Sequence, residues 1–198
     1  MKPVITIKYN RFLDPIFIAY IQAQEKWKDW TPPSKEDVLN KIKIYNEEWK
    51  KYEDIVLNFF KNCYHLEFQQ NLIEVYVVSG NPRPFSNPLV LKSGYSPQEF
   101  INILTHELTH KLFTQNKVGR LEKYNNESEL TQNHIVLFAG LKDLYLNVLK
   151  EPERLIIDLE SAKNHSTPDY SKAWEIVLRD TYADITERFI REIVYFKK

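Results

Sequence analysis

Two histidines and a glutamate stand close together in the segment His106-Glu107-Leu108-Thr109-His110. Residues four apart lie one turn apart on the same face of a helix, so both imidazoles can reach one metal ion. Glu107 then projects beside the ion and can act as a general base toward water. The pattern predicts Zn²⁺ as the cofactor, His106 and His110 as metal ligands, and Glu107 as the catalytic residue.

The start of the helix that would carry this motif is clearly marked. Ser96 stands as its N-cap, Pro97 occupies the first helical position, and Glu99 follows three residues after the cap. This is the pattern of a capping box. We predict a helix from this point to about Asn116, which gives the metal motif the helical backbone that it requires.

A zinc site of this kind needs a third protein ligand and leaves a fourth position open for water. A glycine and a histidine further along the same helix would extend the motif, but Phe113 and Asn116 occupy those positions. The third ligand must therefore come from a second helix. The segment 126–134 offers three candidates, which are Glu127, Glu129 and His134.

Helical periodicity favours His134 among these three residues. A helix predicted over residues 131–150 places His134 on its apolar stripe, whereas Glu129 lies on the polar side or precedes an N-cap at Thr131. Glu127 shares the His134 face if the helix extends that far back, and it could bind the metal or orient a ligand. We predict His134 as the third ligand, with Glu129 and then Glu127 as alternatives.

The composition is that of a folded protein without overall charge. The chain has 198 residues, with 27 basic and 27 acidic side chains, and 43% of its residues are hydrophobic. No basic field indicates a nucleic acid or membrane partner, and no apolar run approaches the roughly 18 residues of a spanning helix. The single cysteine, Cys63, cannot form an internal disulfide. With no recognisable leader, these features predict a cytoplasmic protein.

Patterns along the chain predict a helix-rich α+β fold. Short strands are expected where β-branched residues cluster or alternate, at residues 4–9, 73–78 and 89–92, with residues 64–68 as a candidate addition. Besides the motif helix, helices are expected at residues 14–27, 35–62, 131–150, 153–163 and 168–196.

The motif and the segment after it resemble the gluzincin clan of zinc metallopeptidases. In that clan a helix bearing His-Glu-x-x-His is followed by a second helix with a glutamate ligand. Eighteen residues separate His110 from Glu129, a spacing similar to that of the aminopeptidase branch, so the resemblance implies Glu129 as the third ligand. The second helix departs from the clan's Asn-Glu-x-x-x-Asp pattern, with His134 in its place.

The resemblance covers roughly residues 34–150, and the minimal members of the clan, the minigluzincins, have a similar order of elements on a short chain. It implies a single zincin-like domain over residues 1–198, with a small sheet, an active helix and a second ligand helix. Residues 1–33 would form an N-terminal extension and residues 151–198 a C-terminal helical extension. No composition shift indicates a domain boundary.

The same resemblance implies peptide-bond hydrolysis of a peptide or protein substrate. The clan's last strand before the motif helix is an edge strand that binds extended peptide by antiparallel pairing, and residues 88–92 take that place here. A developing oxyanion would need a second electrophile besides zinc. The candidates are Tyr124, Tyr170, Tyr182 and His165.

Two alternatives belong to other functional classes. The motif could be a structural or regulatory metal site in a non-catalytic protein, with the helices after residue 150 covering the cleft. A closed site with four protein ligands would support that interpretation. The helical flanks could instead form a partner-binding or self-inhibitory surface.

Overall fold

A computed structural model describes the chain over residues 2–196. Within this range the chain forms seven α-helices and a four-stranded mixed sheet, which confirms the predicted helix-rich α+β class. No helix in this range combines the length and apolar character needed to cross a bilayer. The chain divides into two compact units. The first contains the residues up to Asp54 and Phe68–Lys111, and the second contains Ile55–Glu67 and the residues from Leu112 onward.

The elements follow the predicted order, with differences at their ends. The strands are β1 (Val4–Tyr9), β2 (Leu72–Val78), β3 (Phe85–Ser86) and β4 (Leu89–Lys92). The helices are α1 (Leu13–Gln22), α2 (Lys35–Tyr64), α3 (Pro97–Asn116), α4 (Glu129–Asp143), α5 (Pro152–Lys163), α6 (Asp169–Arg179) and α7 (Tyr182–Phe196). The candidate strand at residues 64–68 is absent, because this segment ends α2 and continues as an irregular connection.

The sheet belongs to the first unit and has the strand order β1-β2-β4-β3. β1, β2 and β4 are parallel, and β3 runs antiparallel to β4. β2 is central, and its inward residues Ile73, Val75 and Val77 are almost completely buried. Glu74 and Tyr76 between them are half-buried, so burial alternates along this strand. The interior of this unit also contains Tyr45 of α2 and Phe100 of α3, whose rings stack with centroids 3.8 Å apart.

The prediction that residues 88–92 form the edge strand is wrong. Within residues 2–196, β4 lies between β2 and β3, so β3 is the edge strand on that side of the sheet. Phe85 pairs with Val90, and Ser86 pairs with Leu89. A two-residue strand is too short to show an alternating pattern, so sequence periodicity could not reveal it.

Capping side chains start α2 and α3, as the pairs Ser34 with Asp37 and Ser96 with Glu99 predict. The amide of Asp37 donates to Ser34 Oγ at 3.1 Å, and the amide of Ser34 donates to Asp37 Oδ2 at 3.2 Å. At α3 the amide of Glu99 donates to Ser96 Oγ at 3.2 Å, and the amide of Ser96 donates to Glu99 Oε2 at 2.8 Å. Both are reciprocal capping boxes, so local sequence determines where these helices begin.

The Asp14-Pro15 pair predicts Asp14 as the N-cap of the first helix, but the structure shows a different cap. Asn10 Oδ1 accepts hydrogen bonds from the amides at the start of α1, including that of Leu13 at 3.0 Å. Asp14 is buried and accepts from the Ser79 amide at 2.6 Å and from the Tyr9 hydroxyl at 2.7 Å. The role of Asp14 is therefore to join β1, α1 and the end of β2, and not to cap a helix.

The second unit is helical, with α4 packed against α6 and α7. The Tyr64 ring at the end of α2 contacts the rings of Phe113 and Phe189 edge-on, with centroids 4.9 Å and 5.9 Å away. The Tyr64 hydroxyl also approaches α4 at Gly140, where an added Cβ would lie 1.8 Å from the oxygen. Only glycine can occupy that position without displacing the tyrosine.

Two predicted helices of this unit are interrupted or shifted. The helix predicted over residues 168–196 is divided into α6 and α7 near Thr181, which has a φ of 59°. α4 begins two residues earlier than predicted, because Ser128 Oγ caps it by accepting from the Thr131 amide at 3.1 Å. Residues after Asp143 continue as a π-helical turn, Leu144–Leu149.

Candidate metal centre

His106 and His110 lie on the same face of α3, as their spacing predicts. Their Nε2 atoms are 3.1 Å apart, and their ring centroids are 4.8 Å apart. Both side chains are half-buried, while Leu104, Leu108 and Leu112 on the inner face of the helix are fully buried. Packing of the leucines fixes the rotation of α3 and directs both imidazoles toward the same point.

Glu107, between the two histidines in sequence, is only 7% exposed. Burial disfavours its charged form and raises its pKa to about 7, while the positive charge of Arg83 acts in the opposite direction. Tyr95, just before the α3 N-cap, is half-buried, and its pKa is raised by burial and then by the negative charge of Glu107. A carboxyl group with a pKa near neutral can both accept and return a proton at physiological pH.

His134 lies on α4, and its side chain is buried with 3% exposure. Its Nδ1 is 2.7 Å from the carbonyl oxygen of Leu130, one turn earlier, so Nε2 is the nitrogen that could act as a ligand atom. Its ring contacts those of Tyr170 and Phe138, with centroids 4.6 Å and 5.3 Å away. Burial lowers the pKa of His134, which keeps the imidazole in the neutral form that binds metals.

One ligand atom from each of His106, His110 and His134 lies within 4.8 Å of the others, so the three side chains could hold a metal ion. Two nitrogen ligands of a tetrahedral zinc ion stand roughly 3.3 Å apart, and the Nε2 atoms of His106 and His110 are 3.1 Å apart. Neutral imidazoles suit zinc and several other divalent transition metals. The donor set fits such an ion without specifying which one.

The two glutamates considered as alternative ligands are not part of this cluster. Glu129 lies in the first turn of α4, where its side chain is 74% exposed and forms an ion pair with Arg120. Glu127 is half-buried before the α4 cap, and its amide donates to the Tyr124 carbonyl at 2.9 Å. Among the residues that the structure describes, the three histidines are the group brought together.

The candidate electrophiles separate into two pairs. Tyr170 lies against His134, and its ring centroid is also 4.3 Å from that of His165. The Tyr124 hydroxyl instead donates to Asp180 Oδ2 at 3.0 Å, and the Tyr182 hydroxyl accepts from Asn147 at 2.6 Å. Of these four candidates, Tyr170 thus contacts a predicted ligand, and His165 contacts Tyr170.

Residues outside the motif support the site, and sequence reasoning missed them. Asp169 accepts hydrogen bonds from Ser128 Oγ and from Thr131 Oγ1, which ties the start of α6 to the start of α4. The positive charge of Arg83 lowers the pKa of Glu107, and the negative charge of Glu107 raises the pKa of Tyr95. Arg83 and Tyr95 lie in loops, where the sequence has no periodic pattern. Only the position of Tyr95, immediately before the Ser96 cap, could have indicated a role for it.

The raised pKa of Glu107 predicts a pH-dependent stability of the metal-free protein. The folded protein holds the proton of the Glu107 carboxyl group more tightly than the unfolded chain does. The contribution of this group to the free energy of unfolding is therefore complete below pH 4.5 and is lost as the pH rises to about 7. This pKa difference corresponds to about 3 kcal/mol. We expect urea unfolding to show that the free energy of unfolding of wild type falls by this amount between these pH values relative to that of Glu107→Gln, whose amide does not titrate. A stability difference between the two proteins that stays constant from pH 4 to 8 would contradict the raised pKa.

The arrangement combines nitrogen ligands with a buried carboxyl group, which suits metal-assisted activation of water. No protein-family model, curated protein or solved structure matches the chain. The chemistry of the site is therefore inferred from its own residues.

Proposed function

We propose that this protein is a zinc-dependent peptidase with Glu107 as its general base and His106, His110 and His134 as its metal ligands. The observation that carries the proposal is the 3.1 Å approach of the His106 and His110 Nε2 atoms on the helix that also bears the buried Glu107. A bound Zn²⁺ supplies Lewis acidity, which acidifies water and polarises a peptide carbonyl.

The protein's own residues divide the remaining tasks. Glu107 accepts a proton from the attacking water and returns it to the leaving amine, which its pKa of about 7 allows in both directions. The Leu130 carbonyl orients His134 by accepting from its Nδ1. Tyr170, in contact with His134, is the favoured donor to the developing oxyanion, with His165 next to it.

The choice of a peptide as substrate rests on the resemblance to gluzincins and on the free edge of the sheet. Among residues 2–196, β3 pairs with β4 alone, so the backbone groups on its other side could pair with an extended segment. An edge strand recognises peptide backbone by adding it as a further strand. A substrate peptide would pair with β3, and not with β4 as the sequence suggested.

The first test measures whether zinc binds through the two motif histidines. Protein purified without chelator is expected to contain one zinc ion per chain, and His106→Ala and His110→Ala are expected to lose it. His65→Asn is a matched control, because it removes an exposed imidazole at the end of α2 and asparagine tolerates the positive φ of 54° found there.

Elemental analysis of all four proteins gives the result directly. Equal zinc in wild type and both alanine variants would refute the metal site. Stoichiometric zinc without hydrolysis of a mixed peptide library would favour the non-catalytic metal-binding alternative.

A further inference from the structure

The second unit contains a cavity of about 350 Å³. Its walls come from α2 and from the segment in which α4 continues as the π-helical turn, and every residue that lines it belongs to this unit. The three-histidine cluster is not part of the lining. Sites for small organic ligands have volumes of roughly 300–1,000 Å³ and combine apolar walls with a few polar groups. We refer to this space as the α2–α4 cavity.

α2 presents one helical face to the α2–α4 cavity. Ile55, Asn58, Phe59 and Asn62 line it and stand at positions i, i+3, i+4 and i+7, so they lie on the same side of the helix. Phe59 is buried, whereas Ile55 is 39% exposed and Asn58 and Asn62 are exposed. This face therefore offers a ligand both apolar contact area and side-chain amides.

α4 contributes a carboxylate to the lining through its last residue, Asp143. Asp143 is half-buried, and its Oδ1 accepts a hydrogen bond from Asn147 Nδ2 at 2.6 Å. Among residues 2–196 no basic side chain forms an ion pair with it, and the neighbouring Lys142 lies over the Tyr182 ring instead, 5.5 Å from the centroid. A half-buried carboxylate without a cationic partner attracts a cation from solution.

The thiol of Cys63 also lines the cavity but carries no charge. Burial raises its pKa to about 12, and the negative charge of Asp143 acts in the same direction. The thiol is therefore protonated at neutral pH, which rules out a thiolate nucleophile or a thiolate metal ligand. Among the described residues of the lining, the charge comes from Asp143, and it is negative.

The π-helical turn after Asp143 shapes the other part of the wall. Residues five apart point about 140° away from each other in an α-helix. A π turn is wider, because its hydrogen bonds join residues five apart, and it brings Asp143 and Val148 toward the same side. Both line the cavity, and Val148 is 43% exposed. Such turns are rare and frequently occur at functional sites. This one places an apolar side chain and a carboxylate in the wall of one cavity.

We propose that the α2–α4 cavity binds a small organic ammonium ion with an apolar body. An ammonium group carries three N–H donors, to which Asp143 offers a carboxylate and Asn58 and Asn62 offer amide oxygens. The apolar body packs against Ile55 and Val148. This site goes beyond the proposed peptidase function and does not depend on it.

Titrations of the full-length chain, followed by amide NMR, test the proposal. The probes are hexylammonium, hexanol and hexanoate, which have the same chain length and different charges. We expect hexylammonium to bind at least tenfold more tightly than hexanol, a difference of about 1.4 kcal/mol. Hexanoate should bind more weakly than hexanol. The largest shift changes should occur at the residues that line the cavity.

Three variants separate the contribution of charge from that of the cavity. Asp143→Asn should reduce the affinity for hexylammonium to that for hexanol, because asparagine keeps an acceptor for Asn147 but has no charge. Val148→Trp should weaken the binding of both probes at least tenfold by filling the cavity. Asp29→Asn is the matched control, since it neutralises an exposed carboxylate of the first unit and should keep the full preference. Thermal unfolding of each variant shows that it is folded.

Equal affinity of wild type for hexylammonium and hexanol would overturn the proposal. A preference that survives Asp143→Asn, shift changes centred outside the cavity, or no binding of any probe would also overturn it. Unchanged affinity for hexylammonium in Val148→Trp would contradict the location of the site independently of Asp143.

Discussion

Replacing Glu107 by glutamine is expected to abolish peptide hydrolysis while zinc stays bound. Glutamine has almost the same shape as glutamate, but its neutral amide cannot accept a proton from water. Removing a general base typically costs a factor on the order of 10²–10⁴, and the loss here should be at the upper end, because the same carboxylate assists water at the metal. The measurement is kcat/KM for a peptide that wild type cleaves, together with zinc content.

Glu36→Gln serves as the control for this experiment, since it neutralises an exposed carboxylate in the first turn of α2. It should leave kcat/KM unchanged. Full turnover in Glu107→Gln would refute catalysis by this residue, and loss of zinc from the same variant would show that Glu107 has a ligand role instead.

Replacing His134 by alanine is expected to weaken zinc binding far more than replacing Glu129 by alanine. His134 is buried and belongs to the three-histidine cluster, whereas Glu129 is exposed and paired with Arg120. The loss at His134 should exceed the roughly 10–100-fold effect of removing a residue that only orients a ligand. Glu127→Ala should have an intermediate effect on zinc affinity if Glu127 orients a metal ligand. Competition with a chromogenic chelator gives the affinities.

A structural defect must be separated from the loss of a ligand. His134→Ala leaves a small cavity beside Tyr170, so His134→Gln, which fills more of the space, is measured in parallel, with thermal unfolding of both variants. Weak zinc binding in both folded variants supports His134 as the ligand. Near-normal zinc affinity in both His134 variants, with a large loss of affinity in Glu129→Ala, would show that Glu129 is the third ligand, as the spacing of the gluzincin clan implies.

The parts of the site that depend on neighbouring residues in sequence could be predicted. The capping pair at Ser96 and Glu99 forms within one turn, and His106 and His110 are brought together by helical geometry alone. The burial of His134 followed from the apolar periodicity of its helix. In each case the responsible interactions span about four residues, a range in which sequence pattern and structure are directly linked.

The parts that depend on distant pairing could not be predicted. β3 exists because Phe85 and Ser86 pair with β4, and Asp14 is buried because Ser79 and Tyr9 donate to it. Capping propensity suggested a different role for Asp14, and these tertiary contacts override it. The effect of Arg83 on Glu107 likewise joins a loop to a helix that begins 14 residues later. Chain topology, and not local pattern, creates such relations.

When no metal is bound, His106 and His110 can share one proton in an Nε2–H···Nε2 hydrogen bond. Their Nε2 atoms are 3.1 Å apart, and two bare nitrogen lone pairs at that distance would repel each other. A metal ion needs both lone pairs, so this proton must move to an Nδ1 atom or leave the protein before both nitrogens can bind. Metal uptake through both Nε2 atoms is therefore a tautomeric change of the histidine pair as well as a coordination event.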